Sequence, residues 1–229
     1  MSAVRLPPSA TALGAATEPV GVLLGGVVSG SPPPVDGAVE VVPQPPGPVA
    51  GILAFGGHHV VAADVDPAWV HRHLEPWDMT GPTGPRFVGA LADRLGVEPD
   101  NLDMVLWAPA DPGPPPIALR SVDADPSHPR IERALRYRRE LRLFETDDGM
   151  GLLILGRGLS GRWEAAFEVH PDGRGRGIGR ALVSAARSLV PLGEPLFVEV
   201  APGNVASVRT VLAAGGFTLV GAEILFATG

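Results

Sequence analysis

Residues 167–183 read FEVHPDGRGRGIGRALV, and this segment carries the clearest structural pattern in the sequence. An apolar pattern typical of a strand ends at Val169, a Gly- and Arg-rich loop runs from Arg174 to Gly179, and helical spacing starts at Ile178. The first N–H groups of a helix have no intrahelical partners, and the helix dipole adds partial positive charge there. Glycine allows this backbone to approach a phosphate closely. The stretch therefore predicts a strand–loop–helix unit that binds a diphosphate.

Other phosphate-binding loops fit this sequence less well. Arg174, Arg176 and Arg180 add formal positive charge to the loop. The loop lacks the Gly-x-Gly-x-x-Gly spacing of a dinucleotide-binding fold and the Gly-Lys-Ser/Thr of a P-loop. Two alternatives stay open: a Gly-rich turn that only caps a helix, and a nucleotide-binding protein that uses the same loop.

The loop resembles the signature of the GNAT superfamily of acyl-coenzyme A-dependent N-acyltransferases. That signature is Arg or Gln, two residues, Gly, one residue, then Gly or Ala, and Arg174, Gly177 and Gly179 match it. Downstream, Gly216-Phe217 closes a predicted helix, as in the family's next block. The resemblance covers about half of the chain, and motif, order and spacing agree within it.

The resemblance implies that acetyl-CoA is the acyl donor and a primary amine the acceptor. It also implies a V-shaped gap for the thioester, between the strand ending near Val169 and the strand ending near Val200. Asn204 would bind or orient the pantetheine, and capping the helix that follows it is an equally supported role. The residues that the resemblance assigns to cofactor binding are Phe167, Val169, Arg174, Gly175, Arg176, Gly177, Ile178, Gly179, Arg180 and Asn204.

The expected general acid is missing from its family position. Many relatives carry a Tyr in the helix after Asn204, where this sequence has Val211 and Leu212, and its one Tyr is Tyr137. Ser207 is a candidate substitute, and a thiolate can also leave without a dedicated acid because its pKa is low. The missing Tyr leaves open a different function, an acyl-CoA-binding sensor or interaction module without turnover.

Two glutamates on the strand that ends at Val169 are candidate general bases. Glu164 and Glu168 lie four residues apart, so they share one face of the sheet. Either can take a proton from an amine through water. The alternative is that one of them pairs with an arginine of the predicted helix 128–140. Glu199, on the neighbouring strand, is a third candidate.

Composition narrows the classes of function. The chain has no Lys and no Cys. The absence of Cys excludes a disulfide or a thiolate metal site and favours a cytoplasmic location. Residues 1–115 hold 4 Arg and 12 Asp or Glu, an acidic balance that argues against nucleic-acid binding and fits attraction of a cationic amine. No apolar run reaches the ~20 residues of a membrane span. We expect no metal, nucleic-acid or membrane partner and leave a homodimer open.

The order of patterns predicts an α/β fold of the α+β type. We expect a flexible tail at 1–18, a smaller α+β unit at 19–110, a Pro-rich linker at 111–116 and the acyltransferase domain at 117–229. The acyltransferase domain should have the GNAT fold, a mixed, mostly antiparallel sheet flanked by helices. The sequence leaves open whether the smaller unit is a degenerate copy of the same fold.

Local patterns in the first half predict strands and two helices. Residues 20–28 are interpreted as a strand because they are rich in valine. Asp66-Pro67 is typical of a helix start. Pro85–Leu95 followed by Gly96 is typical of a complete helix with its C-terminal glycine.

Overall fold

The computed structural model describes residues 17–229. The predicted tail at 1–18 lies outside the described residues except for Thr17 and Glu18. The α-helices of the described part are α1 (Pro19–Val28), α2 (Pro67–Arg72), α3 (Pro85–Leu95), α4 (Pro129–Tyr137), α5 (Ile178–Leu189) and α6 (Val205–Ala214). The strands are β1 (Val39–Val42), β2 (Val49–Phe55), β3 (His58–Ala62), β4 (Pro99–Pro109), β5 (Leu119–Val122), β6 (Arg139–Thr146), β7 (Gly151–Arg157), β8 (Trp163–Val169), β9 (Pro195–Val200) and β10 (Thr218–Ala227). Short 3-10 helices cover Gly81–Thr83, Leu159–Gly161 and Pro171–Gly173.

These strands form one sheet in the order β1-β3-β2-β10-β4-β9-β8-β7-β6-β5. β1 pairs with β3 and β8 pairs with β9 in parallel, and the other neighbours are antiparallel. The predicted mixed, mostly antiparallel sheet flanked by helices is confirmed.

Helices cover both faces of the sheet. Leu24 of α1 and Tyr137 of α4 are buried with Phe197 of β9 on one face. On the other face, Leu91 of α3 is buried against β2, β3 and β10, and Leu182 of α5 against β4, β7, β8 and β9. The strands at the centre of the sheet are therefore covered on both sides, which positions charged side chains there away from water.

The sheet continues across the predicted boundary at 111–116. β4 precedes this segment, yet it lies between β10 and β9 and pairs with both. β2 also pairs with β10. Both predicted segments, 19–110 and 117–229, supply strands to the same sheet. The division of the chain into two domains at 111–116 stays a prediction.

The strand predicted at residues 20–28 is wrong, because these residues lie in helix α1. The Glu18 carboxylate accepts hydrogen bonds from the N–H groups of Val20 and Gly21, at 2.9 and 2.6 Å. Pro19 occupies the first helical position, where its missing N–H costs nothing. The cap and the proline together fix the start of a helix in a stretch whose composition is typical of a strand.

The two helices predicted from their end signals are confirmed. Asp66 caps α2, and its carboxylate accepts a hydrogen bond from the N–H of Ala68 at 2.9 Å. Helix α3 ends at Leu95, and Gly96, which follows it as the C-cap, has a left-handed φ of 71°. Both ends follow from local chemistry, which is why the sequence alone locates them.

Candidate functional site

A gap opens in the sheet between β8 and β9. The two strands pair only at their beginnings, Trp163 with Leu196 and Glu164 with Phe197. β8 continues to Val169 and stays paired with β7 on its other side. Past Glu164, the edge of β8 that faces the gap has no strand partner in the described part of the chain. The strands thus diverge as the resemblance implies, and a ligand can pair with this edge.

The gap widens into a cleft that passes through the sheet. Its walls come from β4, β8, β9, the region of α4, and α6, so both halves of the chain contribute. Of the candidate catalytic residues, Glu164, Glu199 and Ser207 line the cleft and Glu168 does not; of the predicted cofactor-binding residues, Phe167 and Asn204 line it. The lining residues are Asp100, Asn101, Asp103, Arg130, Arg133, Tyr137, Arg138, Glu164, Ala165, Ala166, Phe167, Val198, Glu199, Val200, Ala201, Asn204, Ser207 and Leu225.

The Gly- and Arg-rich loop leads into the N-terminus of α5, as predicted. Gly175 and Gly177 have φ angles of 76° and 79°, in the left-handed region that favours glycine. Gly177 precedes the helix, and its carbonyl accepts the hydrogen bond of the Ala181 N–H at 3.0 Å. The three N–H groups just before Ala181 have no acceptor one turn earlier in the helix. They are available to an anion.

The start of α5 lies against the end of β8, at the mouth of the cleft. A Cβ atom added to Gly179 would be 3.5 Å from the ring of Phe167, 3.5 Å from Val169 and 3.2 Å from Thr210 of α6. Phe167 itself lines the cleft. An anion at the loop would therefore be next to the unpaired edge of β8. The arginines of the loop are exposed to solvent: Arg174, Arg176 and Arg180.

Asn204 and Ser207 line the cleft from the side of α6. The Asn204 Oδ1 accepts a hydrogen bond from the Ser207 N–H at 3.1 Å, which confirms the capping role. The cofactor role of Asn204 and the acid role of Ser207 stay predictions. Val211 is fully buried and Leu212 is exposed, and neither side chain has a hydroxyl.

Five charged side chains meet at the floor of the cleft and form what we call the ionic cluster: Arg138, Arg162, Glu164, Glu199 and Glu223. Arg162 donates from Nε to Glu164 at 2.8 Å. Its Nη2 donates to Glu199 at 3.2 Å and to Glu223 at 2.5 Å. Arg138 donates from Nε to Glu164 at 2.7 Å and from Nη2 to Glu199 at 2.8 Å. Their side chains are between 0% and 12% exposed.

Burial and neighbouring charge act differently on the three carboxyls. Burial alone would raise the pKa of Glu164, but Arg162 and Arg138 hold it below its usual value. Burial and the charge of Glu164 raise the pKa of Glu199 to about 8, against the pull of both arginines. Burial also raises the pKa of Glu223. Glu164 is therefore ionised at neutral pH and fully hydrogen-bonded, so the geometry does not favour it as a base.

Glu168 lies outside the cleft lining, beside α4. Its carboxylate accepts a hydrogen bond from Arg130 at 2.8 Å, and this bond lowers the pKa of Glu168. Its side chain is 45% exposed. Glu164 and Glu168 thus each pair with an arginine of segment 128–140. The sequence left this ion pairing open as the alternative to a role in catalysis. The base role of Glu168 stays a prediction, and its position gives that role no support.

The wall from β4 was not expected from the sequence. Asp100, Asn101 and Asp103 line the cleft, and Arg133 of α4 donates to Asp100 at 2.6 Å. Burial raises the pKa of Asp103 to about 6. The sequence does contain one signal for this wall, because polar residues interrupt the apolar pattern of the strand. A charged residue that is buried in a strand requires a partner, and therefore indicates a polar site. The same signal marks Glu223 in β10.

The described residues contain no group of three or more His, Cys, Asp or Glu arranged to hold a metal ion. Within residues 17–229, no helix combines the length and apolar character required to cross a membrane.

Comparison with known proteins finds similarity in structure rather than in sequence. No protein-family model matches the chain, and no curated protein sequence matches it. A GNAT-family acetyltransferase from Colwellia psychrerythraea has 13% identity and a TM-score of 0.37, over 62% of each chain. A GCN5-related N-acetyltransferase from Sphaerobacter thermophilus has 16% identity and a TM-score of 0.36, over 61% of this chain and 55% of the other. The chain thus spans less than two thirds of the length of either structure.

Proposed function

We propose that this protein is an N-acyltransferase that moves an acetyl group from acetyl-CoA to a primary amine. The observation that carries the proposal is the gap between β8 and β9 with the helix N-terminus of α5 at its mouth. A diphosphate held there, with an extended arm along β8, puts a thioester next to the ionic cluster. The resemblance of residues 174–179 to the GNAT signature supports the same assignment.

The loop and the strand edge would hold the cofactor. Phosphate oxygens accept hydrogen bonds from the free N–H groups at the start of α5, and Arg174, Arg176 and Arg180 add charge. The pantetheine arm pairs with the backbone of 167–169 as an added strand does. The Asn204 Oδ1 is engaged by the cap, so its amide NH₂ is the part left for a carbonyl of the arm.

Acyl transfer in this cleft requires little side-chain chemistry. The amine attacks the thioester carbonyl, and a backbone N–H near Val169 stabilises the developing oxyanion. The C–S bond then breaks. The Ser207 hydroxyl lines the cleft and is proposed as a hydrogen-bond donor to the departing sulfur. A thiolate that leaves without this help is the alternative, because its pKa is low.

The charge of the cleft supports an amine acceptor. Its lining contains four acidic side chains and three guanidinium groups, and because the pKa of Glu199 is raised to about 8, the excess of negative charge at neutral pH lies on the β4 wall. Asp100 and Asp103 supply two of the carboxylates from β4. A carboxylate-rich wall raises the local concentration of a cationic amine. The first half of the chain would thereby act in acceptor binding.

The second candidate function is an acyl-CoA-binding sensor without turnover. Val211 and Leu212 favour it, because the helix that carries a Tyr in many relatives has no hydroxyl at these positions. The sensor would use the same loop and strand edge. It differs from the transferase only in that no acceptor reacts.

Calorimetric titration with acetyl-CoA and an assay of thiol release with a panel of primary amines separate the candidates. We expect 1:1 binding, and thiol release with at least one amine. Arg174→Ala should weaken binding, whereas the control Arg120→Ala, on the surface and paired with Glu145, should not. Binding without thiol release favours the sensor. Failure of every acyl-CoA to bind refutes both functions, and tight binding of ATP or NAD instead identifies a nucleotide site.

A further inference from the structure

The ionic cluster contains more carboxylates than guanidinium groups. Its three glutamates carry three negative charges when ionised, and Arg138 and Arg162 carry two positive charges. An unbalanced charge in a buried site costs free energy, so a proton on one carboxyl is favoured. The cluster therefore has a place for one proton near neutral pH.

The hydrogen bonds identify the carboxyls that compete for this proton. Glu164 accepts three hydrogen bonds, one from each arginine and one from the Leu159 N–H at 3.1 Å. Glu223 accepts on Oε1, while its Oε2 is buried and has no hydrogen-bond partner among the described residues. Glu199 accepts one bond on each oxygen. Glu199 and Glu223 are therefore the less saturated members.

We propose that Glu199 takes the proton from the acceptor amine, and that Glu199 and Glu223 share one proton of the cluster across Arg162. This inference rests on the proposed function, because it assigns a residue to the same reaction. Glu199 lines the cleft, whereas Glu223 does not. Glu199 thus connects the space for the substrates with the buried end of the cluster.

Charged groups on every neighbouring element determine how tightly Glu199 holds a proton. Those groups are Arg138 after α4, Arg162 just before β8, Glu164 in β8, and Glu223 on β10, with Asp103 on β4 and Arg133 on α4 further along the cleft. Burial and Glu164 bring the pKa of Glu199 to about 8, despite the two arginines. A base is most effective when its pKa lies near the working pH, which Glu199 satisfies and Glu164 does not.

The step conserves atoms and charge. An acceptor that arrives as an ammonium first loses one proton to solvent. The amine nitrogen, which now carries two N–H protons, bonds to the thioester carbonyl carbon, and one of these protons passes to a carboxylate oxygen of Glu199 while the other stays on the amide nitrogen. The C–S bond breaks and the sulfur leaves as a thiolate. Glu199 releases its proton to solvent through the open cleft, and the thiolate takes one from solvent, which leaves an amide and a thiol.

The test compares the pH dependence of thiol release by the wild-type protein and Glu199→Gln, with acetyl-CoA and one primary amine. We expect the wild-type kcat to increase as the pH rises through about 8. Glu199→Gln should lose about 100-fold or more in kcat and the pH-dependent rise, while calorimetry returns the wild-type Kd for acetyl-CoA. Glu132→Gln, exposed on α4 and paired with Arg136 at 3.5 Å, is the matched control and should keep the wild-type profile.

Glu223→Gln tests the shared proton. Removing this carboxyl leaves two carboxylates with two arginines, so Glu199 should hold its proton less tightly and the rise in kcat should move to lower pH. An unshifted profile would overturn the shared proton.

The remaining outcomes distinguish the two proposals. Turnover by Glu199→Gln with the wild-type pH profile would overturn the role of Glu199 and leave the proposed function intact. A wild-type protein that binds acetyl-CoA but releases no thiol with any amine would overturn the proposed function, and the role of Glu199 with it. If Glu199→Gln does not fold, the wild-type profile decides, because a flat kcat between about pH 6 and pH 9 contradicts a base of this kind.

Discussion

Replacing Arg162 with methionine tests the ionic cluster at the floor of the cleft. Arg162 is fully buried and donates to all three glutamates of the cluster. Methionine keeps an unbranched chain but removes the charge, which leaves Glu164 and Glu199 with Arg138 and takes from Glu223 the guanidinium that it binds. Removing one partner of a buried ion pair costs about 3–5 kcal/mol. At roughly 2–4 °C per kcal/mol for a chain of this length, the unfolding midpoint should fall by about 6–20 °C.

The loss of stability in Arg162→Met should depend on pH. Without the guanidinium, the pKa of Glu199 and of Glu223, already raised in the wild-type protein, rises further. Between the ordinary pKa of Glu and this raised value, the folded variant binds protons that the unfolded chain does not bind. The free energy of unfolding therefore decreases with rising pH, by about 1.4 kcal/mol per pH unit for each such proton. The variant should be nearest to wild type at about pH 5 and furthest from it at about pH 8.

Urea unfolding followed by circular dichroism at these two pH values measures both effects. Arg136→Met is the matched control, because Arg136 is exposed and its helical pair with Glu132 is worth only about 0.3–0.5 kcal/mol. A loss in Arg162→Met that is as small as in the control would refute the account of the cluster. So would a larger loss that is equal at both pH values.

Three further predictions concern single positions. A Cβ at Gly158 would lie 2.1 Å from the Glu164 carboxylate, so Gly158→Ala should lower the free energy of unfolding in urea by about 1–3 kcal/mol. The control Gly89→Ala has open space on an exposed helix face and should instead raise it by about 0.5–1 kcal/mol. Glu168→Gln should keep thiol release and lose less than about 1 kcal/mol of stability, because its ion pair is at the surface; loss of turnover would restore Glu168 as a base. Asn204→Ser keeps a good cap, so unchanged stability with weaker calorimetric binding of acetyl-CoA is expected, and unchanged binding would limit Asn204 to capping.

Features that depend on local chemistry could be predicted from the sequence. The Gly- and Arg-rich loop, the helix after it and the caps at Asp66 and Gly96 each follow from a few neighbouring residues. The carboxylate cap at Glu18 is equally local, but the valine-rich composition of the segment that follows it favoured a strand. The error at α1 therefore came from weighing composition above the capping signal.

Features that depend on pairing over long sequence separations could not be predicted. Nothing in the pattern of β4 indicates that it lies between β9 and β10, about 90 to 120 residues further along the chain. The wall with Asp100 and Asp103, and the contact of Arg162 with Glu223, exist only because of this pairing. The separation of Glu164 and Glu168 likewise indicates their common face but not the arginines opposite them, so the ion pair of each carboxylate could not be predicted.

A crystal structure of the complex with acetyl-CoA would show whether an acyl-CoA binds in the gap between β8 and β9. We expect the pyrophosphate on the N–H groups at the start of α5, the pantetheine along the free edge of β8, and the sulfur in the cleft that Glu199 lines. A cofactor bound elsewhere on the chain, or in the gap with its sulfur pointing away from the ionic cluster, would contradict this expectation.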